Sequence, residues 1–275
     1  MWMKKPLLFV LLLVFVLTLS IISIFYDATH SALSRLQINR VTLSDNSIPQ
    51  SLDDTKIIYF SDLHLFANDN NEFIASVFDQ MAQEEADIIL FGGDFIDASL
   101  SNLNDNQLSF IDEQLNKLNP NLGFFAVLGQ DDAIHLEELN AIYQKHNIEI
   151  LENKAVLIRN QSSIGIQLFG YHGLTSSLEN LDSSLYTLAF MYDPSWMSDL
   201  NSSSIDVVLA AKTHGGQIDL PLFKPSYSRA TGTYISGDQI VNNHRLIISN
   251  GISTLEYQAR LFRDPSIYIF KLKQK

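Results

Sequence analysis

One stretch of this chain limits its options more than any other. Residues Pro6 to Tyr26 (PLLFVLLLVFVLTLSIISIFY) run for 21 positions without a charge, with Thr18, Ser20 and Ser23 as polar members. As a helix rising 1.5 Å per residue the run is ~31 Å long, about the hydrocarbon thickness of a bilayer. Lys4 and Lys5 precede it and Asp27 follows. The positive-inside rule then keeps the N-terminus in the cytoplasm and exports the rest, which gives a single-pass protein of the cell membrane with an extracytoplasmic domain. Arg35 and Arg40 on the far side weigh against that orientation without reversing it. The alternative is a cleaved signal peptide, whose apolar core spans ~7–15 residues before a small-x-small site. This run is longer and no such site follows it, so an uncleaved anchor is the expectation.

The whole chain carries a formal charge of −13, and residues 1–26 hold two lysines and no acids, so the remainder carries −15. Nucleic-acid binding needs a basic surface to displace counterions from phosphates, and this balance argues against it. There is no cysteine, which excludes disulfides, thiolate metal sites and a cysteine nucleophile. With no Pro/Gly/Ser-rich linker, repeat or low-complexity tract, the exported part reads as a stalk over 27–54 followed by one domain over 55–275.

Within that domain, short apolar runs alternate with helical patterns. Lys56–Ser61, Asp87–Phe91 and Gly123–Leu128 read as buried strands, continuous, β-branched or aromatic and bounded by turn residues. Between them, Asn71–Glu85 and Leu108–Leu118 place apolar residues at helical spacing. Strand–helix–strand order of this kind predicts parallel strands with crossovers. The second half is richer in strands: 148–151, 155–159, 164–171, 187–192, 205–211, 246–249 and 267–272. The fold class is α/β (or α+β) with a sheet sandwich inside.

The residues able to do chemistry sit where these strands end. Ser61-Asp62-Leu63-His64 follows the first, Gly92-Gly93-Asp94-Phe95-Ile96-Asp97 the second, Gly129-Gln130-Asp131-Asp132 the third, and Thr213-His214-Gly215-Gly216-Gln217 a later one. In open α/β sheets, ligands bind beyond the carboxyl ends of strands. In Asp-x-His the carboxylate and imidazole share one face of an extended backbone. Two carboxylates and two imidazoles together suit a divalent cation such as Mn²⁺, Fe²⁺ or Zn²⁺. Each piece alone also reads as a turn acid or a surface histidine; it is their order and shared position that is specific.

This set resembles the calcineurin-like metallophosphoesterase family, in particular its bacterial branch with an N-terminal membrane segment. The likeness runs from about Ile38 to the C-terminus. It rests on SDLHL (61–65), GDFID (93–97), GFFAVLG (123–129), THGGQI (213–218) with Pro221 after it, and NGIS with RLFRDPSIYIFKL (250–272). The resemblance implies a four-layer sandwich of two β-sheets flanked by helices. It also implies two metal ions that share one aspartate and activate water for attack on a phosphate ester. Carried over residue by residue, one metal falls to Asp62, His64, Asp94 and His214, and all four ligands are present. The second metal would share Asp94 and take ligands at positions that here read Gln130, Tyr192 (in Tyr192-Asp193-Pro194) and Lys212; none of the three is retained. The family's leaving-group histidine is Asp131.

One site is thus complete and its neighbour lost. A charged ammonium has no lone pair and cannot ligate a metal, but Lys212 can place a positive charge among Asp62, Asp94 and Asp131. The expectation is a one-metal centre in which Lys212 replaces the second cation, with Asp131 and Lys212 as the candidate catalytic groups. Asp131 is a poor proton donor there, since a carboxyl ordinarily ionises near ~4. Tyr192 keeps a hydrogen-bond donor where a ligand stood, and Gln130 an amide oxygen one methylene further out. Asp97, Asp132 and Gln217 stand beside the ligands as supporting groups, and Gly215-Gly216 make the turn that aims His214. Among other histidines, His172, after Gly170-Tyr171, is the best placed to supplement the second site and His135 follows Asp131 by one turn. His30, His146 and His244 are expected at the surface.

The functional expectation is a membrane-anchored phosphoester hydrolase with a remodelled, one-metal site, acting on a phosphorylated lipid or a small envelope phosphoester. The alternative is a non-catalytic member of the fold that binds a ligand or a protein.

Overall fold

The computed structural model describes residues 4–67, 70–173, 178, 180–200, 202–220, 223 and 233–275. Pro221 lies outside the described residues.

The apolar run folds as helix α1, Lys4–Thr29. Its large apolar side chains from Leu7 to Tyr26 are all 49–70% exposed, so among the described residues no protein surface covers them. The few polar side chains turn inward on the helix: the Thr18 and Ser20 hydroxyls donate to the carbonyls of Val14 and Val16. A helix with its backbone and hydroxyls satisfied internally, and this length of apolar surface, is able to cross a bilayer.

The stalk expected over 27–54 is corrected in its middle. Gln37–Asp45 forms strand β1, which pairs in parallel over its whole length with β12, Ser266–Gln274. As an edge strand β1 needs few apolar contacts: Leu43 is buried with Val41 packed beside it between the sheets, and Ile38 packs on the helix-covered face. The interleaved Asn39, Arg40, Thr42 and Ser44 hide the strand from an apolar-run reading.

Two mixed six-stranded sheets stack face to face. The first has the order β1-β12-β2-β3-β4-β5, with β2 at Lys56–Phe60, β3 at Ile88–Phe91, β4 at Gly123–Ala126 and β5 at Ile148–Ile150. Strands β2 to β5 run parallel, as strand–helix–strand connections require. The second sheet has β6 at Lys154–Ile158, β7 at Ile166–Tyr171, β8 at Thr187–Met191 and β9 at Val207–Ala210, with β10 at Gly237–Val241 and β11 at His244–Ile248. Its order is β10-β11-β9-β8-β7-β6.

The period-two alternation of each strand divides the core. In β2, Ile57 and Tyr59 join Ile88, Leu90, Leu188, Phe190 and Leu209 between the sheets, while Ile58 and Phe60 face the helices. Helices α2 (Asn71–Gln83), α3 (Asp105–Leu115) and α4 (Leu136–Lys145) cover the first sheet through Ile74, Phe78, Ile111 and Tyr143. Among the described residues, the outer face of the second sheet is covered by a 3-10 turn at Pro194–Ser198 and by Leu181 and Leu200. The result is an α/β sandwich of two mixed sheets flanked by helices.

Candidate metal centre

Six strands send their following loops to the same end of the sandwich. After β2 come Asp62 and His64, after β3 Asp94, after β4 Asp131 and Asp132, after β8 Tyr192 and Asp193, after β9 Lys212 and His214, and after β11 Asn250 to Ser253. Asp62, His64, Asp94, Asp131, Asp132 and His214 are all buried. The backbone is bent to bring them there. Asp62, His64, Asp94, Lys212 and His214 adopt left-handed φ values of 54°, 39°, 59°, 71° and 50°. Each non-glycine residue in that region costs on the order of 1 kcal/mol or more, and such strain gathers where a site demands it. One glycine is compelled by close approach: a Cβ on Gly129 would lie 2.2 Å from Asp94 Oδ1. Its absence lets the next turn bring the Asp131 amide, which donates to that oxygen at 2.8 Å.

The ligand atoms face one another. His64 Nε2 and His214 Nε2 are 3.2 Å apart, His214 Nε2 is 3.6 Å from Asp62 Oδ1, and His64 Nε2 is 3.6 Å from Asp94 Oδ2. Atoms bound to one ion at ~2.1 Å stand ~3.0–3.5 Å from each other, so these separations fit a shared cation. The protons argue the same way. His214 Nδ1 lies 2.9 Å from the Ser253 carbonyl, a partner that can only accept, so Nδ1 carries the hydrogen and Nε2 a lone pair. His64 Nδ1 faces Asp131 Oδ2 at 3.1 Å and Asp97 Oδ2 at 3.6 Å, which draws its proton to that side. Two bare Nε2 atoms at 3.2 Å repel unless a cation lies between them. Without a metal, the cation is a proton: burial opposes charging His64, but Asp131, Asp94 and Asp62 outweigh it and hold its pKa above the ordinary value.

Burial first, and then the charge of Asp94, push Asp62 up to about 7. Burial likewise raises Asp94, with Asp131 adding to it while His64 and the Tyr192 hydroxyl pull the other way. A bound divalent ion would relieve this crowding. Asp132 plays a different part: its carboxylate accepts from Gly129, Asp94 and Phe95 amides at 2.7, 2.9 and 2.7 Å, stitching the β3 and β4 loops together. Asp97 accepts from the Ser99 amide at 2.9 Å. Gln217 fastens the 255–259 segment, donating to the Tyr257 and Ala259 carbonyls and accepting from the Leu255 amide.

The three positions where the resemblance implies second-metal ligands behave differently from one another. The Tyr192 hydroxyl donates to Asp94 Oδ2 at 2.6 Å. Lys212 does not stand among Asp62, Asp94 and Asp131 as expected: its ammonium pairs with Asp193 and lies 5.6 Å from the Tyr192 ring centroid. The left-handed turn at Lys212 separates its two ends, sending its amide to Asp62 Oδ1 at 3.0 Å and its side chain toward the β8 loop. Gln130 is exposed and is not brought to the carboxylates.

Except for His30, the histidine expectations also need correcting. His172 faces Glu152 at 3.3 Å and stacks on Trp196, away from the centre. His135 is buried beneath the β4 loop outside the cluster. His244 is buried with Nδ1 3.0 Å from the Ile205 carbonyl, because it opens a strand that lies inside the sheet. His146 ends α4 and pairs with Asp112 of α3 at 2.7 Å. His30 is exposed and stacks on Tyr26.

Three contributors went unread in the sequence. Asp193 lay inside a quoted turn but gave no sign of being the Lys212 counter-ion. Ser253 orients His214 through its carbonyl. Arg260 is fully buried and its guanidinium donates to the carbonyls of Asn250, Ser253 and Arg263, fixing the loop that aims His214. Burial lowers its pKa to about 10, which leaves it charged at neutral pH.

A sandwich of two mixed sheets with aspartates and histidines gathered on its strand ends has the architecture and donor set of a metallophosphoesterase. The sequence model of the calcineurin-like phosphoesterases matches residues 55–249, and the chain belongs to that family. It is 26% identical over 257 residues to an uncharacterized metallophosphoesterase of Aquifex aeolicus, covering 87% of this chain and 93% of that one. An uncharacterized metallophosphoesterase of Campylobacter jejuni is 28% identical, covering 97% and 71%. The phosphodiesterase YaeI of Escherichia coli is 24% identical, covering 83% and 84%.

Proposed function

We propose that this chain is a membrane-anchored phosphoesterase whose centre holds one divalent cation between Asp62, His64, Asp94 and His214. The observation that carries the reading is the pair of Nε2 atoms 3.2 Å apart, with the His214 proton committed to the Ser253 carbonyl on the far side of its ring. The donor set of two carboxylates and two imidazoles fits Mn, Fe or Zn. Such an ion, when bound, supplies Lewis-acid polarisation of a phosphoryl oxygen and a water of lowered pKa.

The chain's own groups do the rest. Tyr192 hydrogen-bonds Asp94, the residue that the resemblance implies two metals would share, so a neutral donor stands where a second cation is implied. The Lys212–Asp193 pair stands behind Tyr192, its charge balanced within itself. Asp131 orients the His64 ring and leaves Nε2 free to ligate. A cavity of about 330 Å³ reaches His64, Asp97 and Asp131, with Ala67, Ser99 and Leu255 in its walls. That volume admits a phosphoester headgroup. The name of the Escherichia coli relative supports a phosphodiester as substrate, and the apolar helix α1 beside the domain supports a phosphorylated lipid or envelope metabolite.

Hydrolysis of a generic phosphodiester by the purified chain tests this reading. Wild type is expected to turn over in Mn²⁺, and Asp94→Asn to lose about 100-fold or more, since perturbing even a ligand's partner costs 10–100-fold. Equal rates would defeat the enzyme assignment. A second reading, a non-catalytic binding protein, draws on the tyrosine filling the second-metal position. It predicts activity only after Gln130→Asn, Asp131→His, Tyr192→His and Lys212→His are combined.

A further inference from the structure

We propose that the site-bearing end of the domain rests on the bilayer surface, with the loop carrying Tyr257 and Phe262, and Leu220 beside it, seated among the lipid headgroups. The inference rests on the anchor reading of α1 above and adds to it an orientation and a contact surface.

Topology supplies the orientation. Strand β2 ends at the metal loops, and β12 pairs antiparallel to β2, so β12 begins at that same end. Strand β1 is parallel to β12 and begins there too. The chain therefore passes from α1 into the sheet at the end where Asp62 and His64 stand, and the membrane helix approaches the domain from the side of its site.

The junction is fastened rather than hinged. The Ala28 carbonyl, in the last turn of α1, accepts from the Arg260 amide at 2.8 Å. Arg35 bridges Asp27 of α1 at 2.9 Å and Asp264 of the loop at 2.8 Å. Ala28 lies two residues, ~3 Å of helix rise, beyond the last apolar residue Tyr26, so the 257–264 loop sits at headgroup depth.

That loop displays large apolar side chains. Tyr257 is 63% and Phe262 62% exposed, and nearby Leu220 and Phe223 are 41% and 71% exposed. They form one surface, because the Asp219 amide donates to the Leu261 carbonyl at 3.0 Å and Arg263 pairs with Asp219. Phe262 takes a left-handed φ of 58°, a costly conformation for a bulky residue, to hold its ring outward. The buried Arg260 beneath keeps the loop in place. Exposed aromatic side chains at this depth are what a membrane interface favours. The domain's acid excess gives anionic lipid no reason to attract it, so the contact is apolar and insensitive to salt. The cavity over His64 has Leu255 in its wall, two residues from Tyr257.

The chain has no cysteine, so single cysteines can be placed at will. The full chain, reconstituted in phosphatidylcholine–phosphatidylglycerol vesicles, is spin-labelled at Phe262→Cys or Leu220→Cys. Tyr26→Cys serves as the interface reference. Ile240→Cys is the aqueous one, since it is 71% exposed next to the β10–β11 turn, at the end of β11 remote from Asn250. Accessibility to oxygen is compared with accessibility to a water-soluble nickel chelate. The 262 and 220 labels are expected to match the Tyr26 reference, with unchanged values in high salt. Flotation with the vesicles but Ile240-like accessibility at both positions overturns the docking while leaving the anchor standing. Failure to float overturns both. Dipolar broadening between labels at 262 overturns the bilayer as occupant in favour of a second copy of the chain.

Discussion

Tyr192 and Lys212 stand at two positions where the family resemblance implies ligands to a second metal, and each is held by a different partner. The tyrosine hydroxyl takes an oxygen of Asp94; the lysine is neutralised by Asp193. Tyr192→Phe removes one donor from a buried carboxylate and is expected to destabilise the protein by about 1–3 kcal/mol while leaving metal content unchanged, measured by urea unfolding and elemental analysis. Arg260→Met is expected to cost about 3 kcal/mol or more, because several buried carbonyls lose a donor together; the shift in urea midpoint checks it. In metal-free protein, Asp62 and Asp132 are each pushed up to about 7, by burial first and then by Asp94. With folded pKa values above the unfolded ~4, their contribution to stability is full at acid pH and lost as pH rises toward 7. Chelator-treated protein should therefore unfold at lower urea at pH 8 than at pH 5, with Mn²⁺ narrowing the gap. At this scale the ligand residues were legible because Asp-x-His, Gly-Asp and His-Gly-Gly are local patterns. The Asp193 and Arg260 roles were not, since each depends on a partner brought close only by the fold.

At the scale of elements, the buried parallel strands declare themselves. Strands β2, β3 and β4 are covered on both faces, so continuous apolar runs such as Ile88–Phe91 mark them. The edge strands β1 and β10 expose one face and one edge, and their polar residues conceal them; α4, with its acidic first turn and few apolar residues, was likewise unread. This difference predicts where mutations hurt. Leu90→Ala, fully buried between the sheets, is expected to cost about 2–5 kcal/mol. Ile240→Ala on the exposed face of β10 should change stability by less than about 0.5 kcal/mol. Thermal unfolding of the two variants side by side checks the contrast.

For the whole molecule, the apolar helix and the acid-rich domain read as separate parts in the sequence, joined by a stalk. Folding removes the stalk: the chain after α1 enters the first sheet within a few residues, at the end where the metal-ligand loops gather. The sandwich of two sheets was implied by the family resemblance, and the one-sided clustering of loops by the run of motifs at strand ends. The short coupling through Arg35 and Arg260 was not, because ion pairs spanning 229 residues leave no local signature. What unites the scales is the proposed single-cation centre, with the Tyr192 hydroxyl on Asp94. The most direct measurement is the metal content of the full chain purified without chelator and then offered Mn²⁺ or Zn²⁺. One tightly held divalent ion per chain, lost in Asp94→Asn, is the predicted result; two ions per chain, or none after metal is offered, would contradict it.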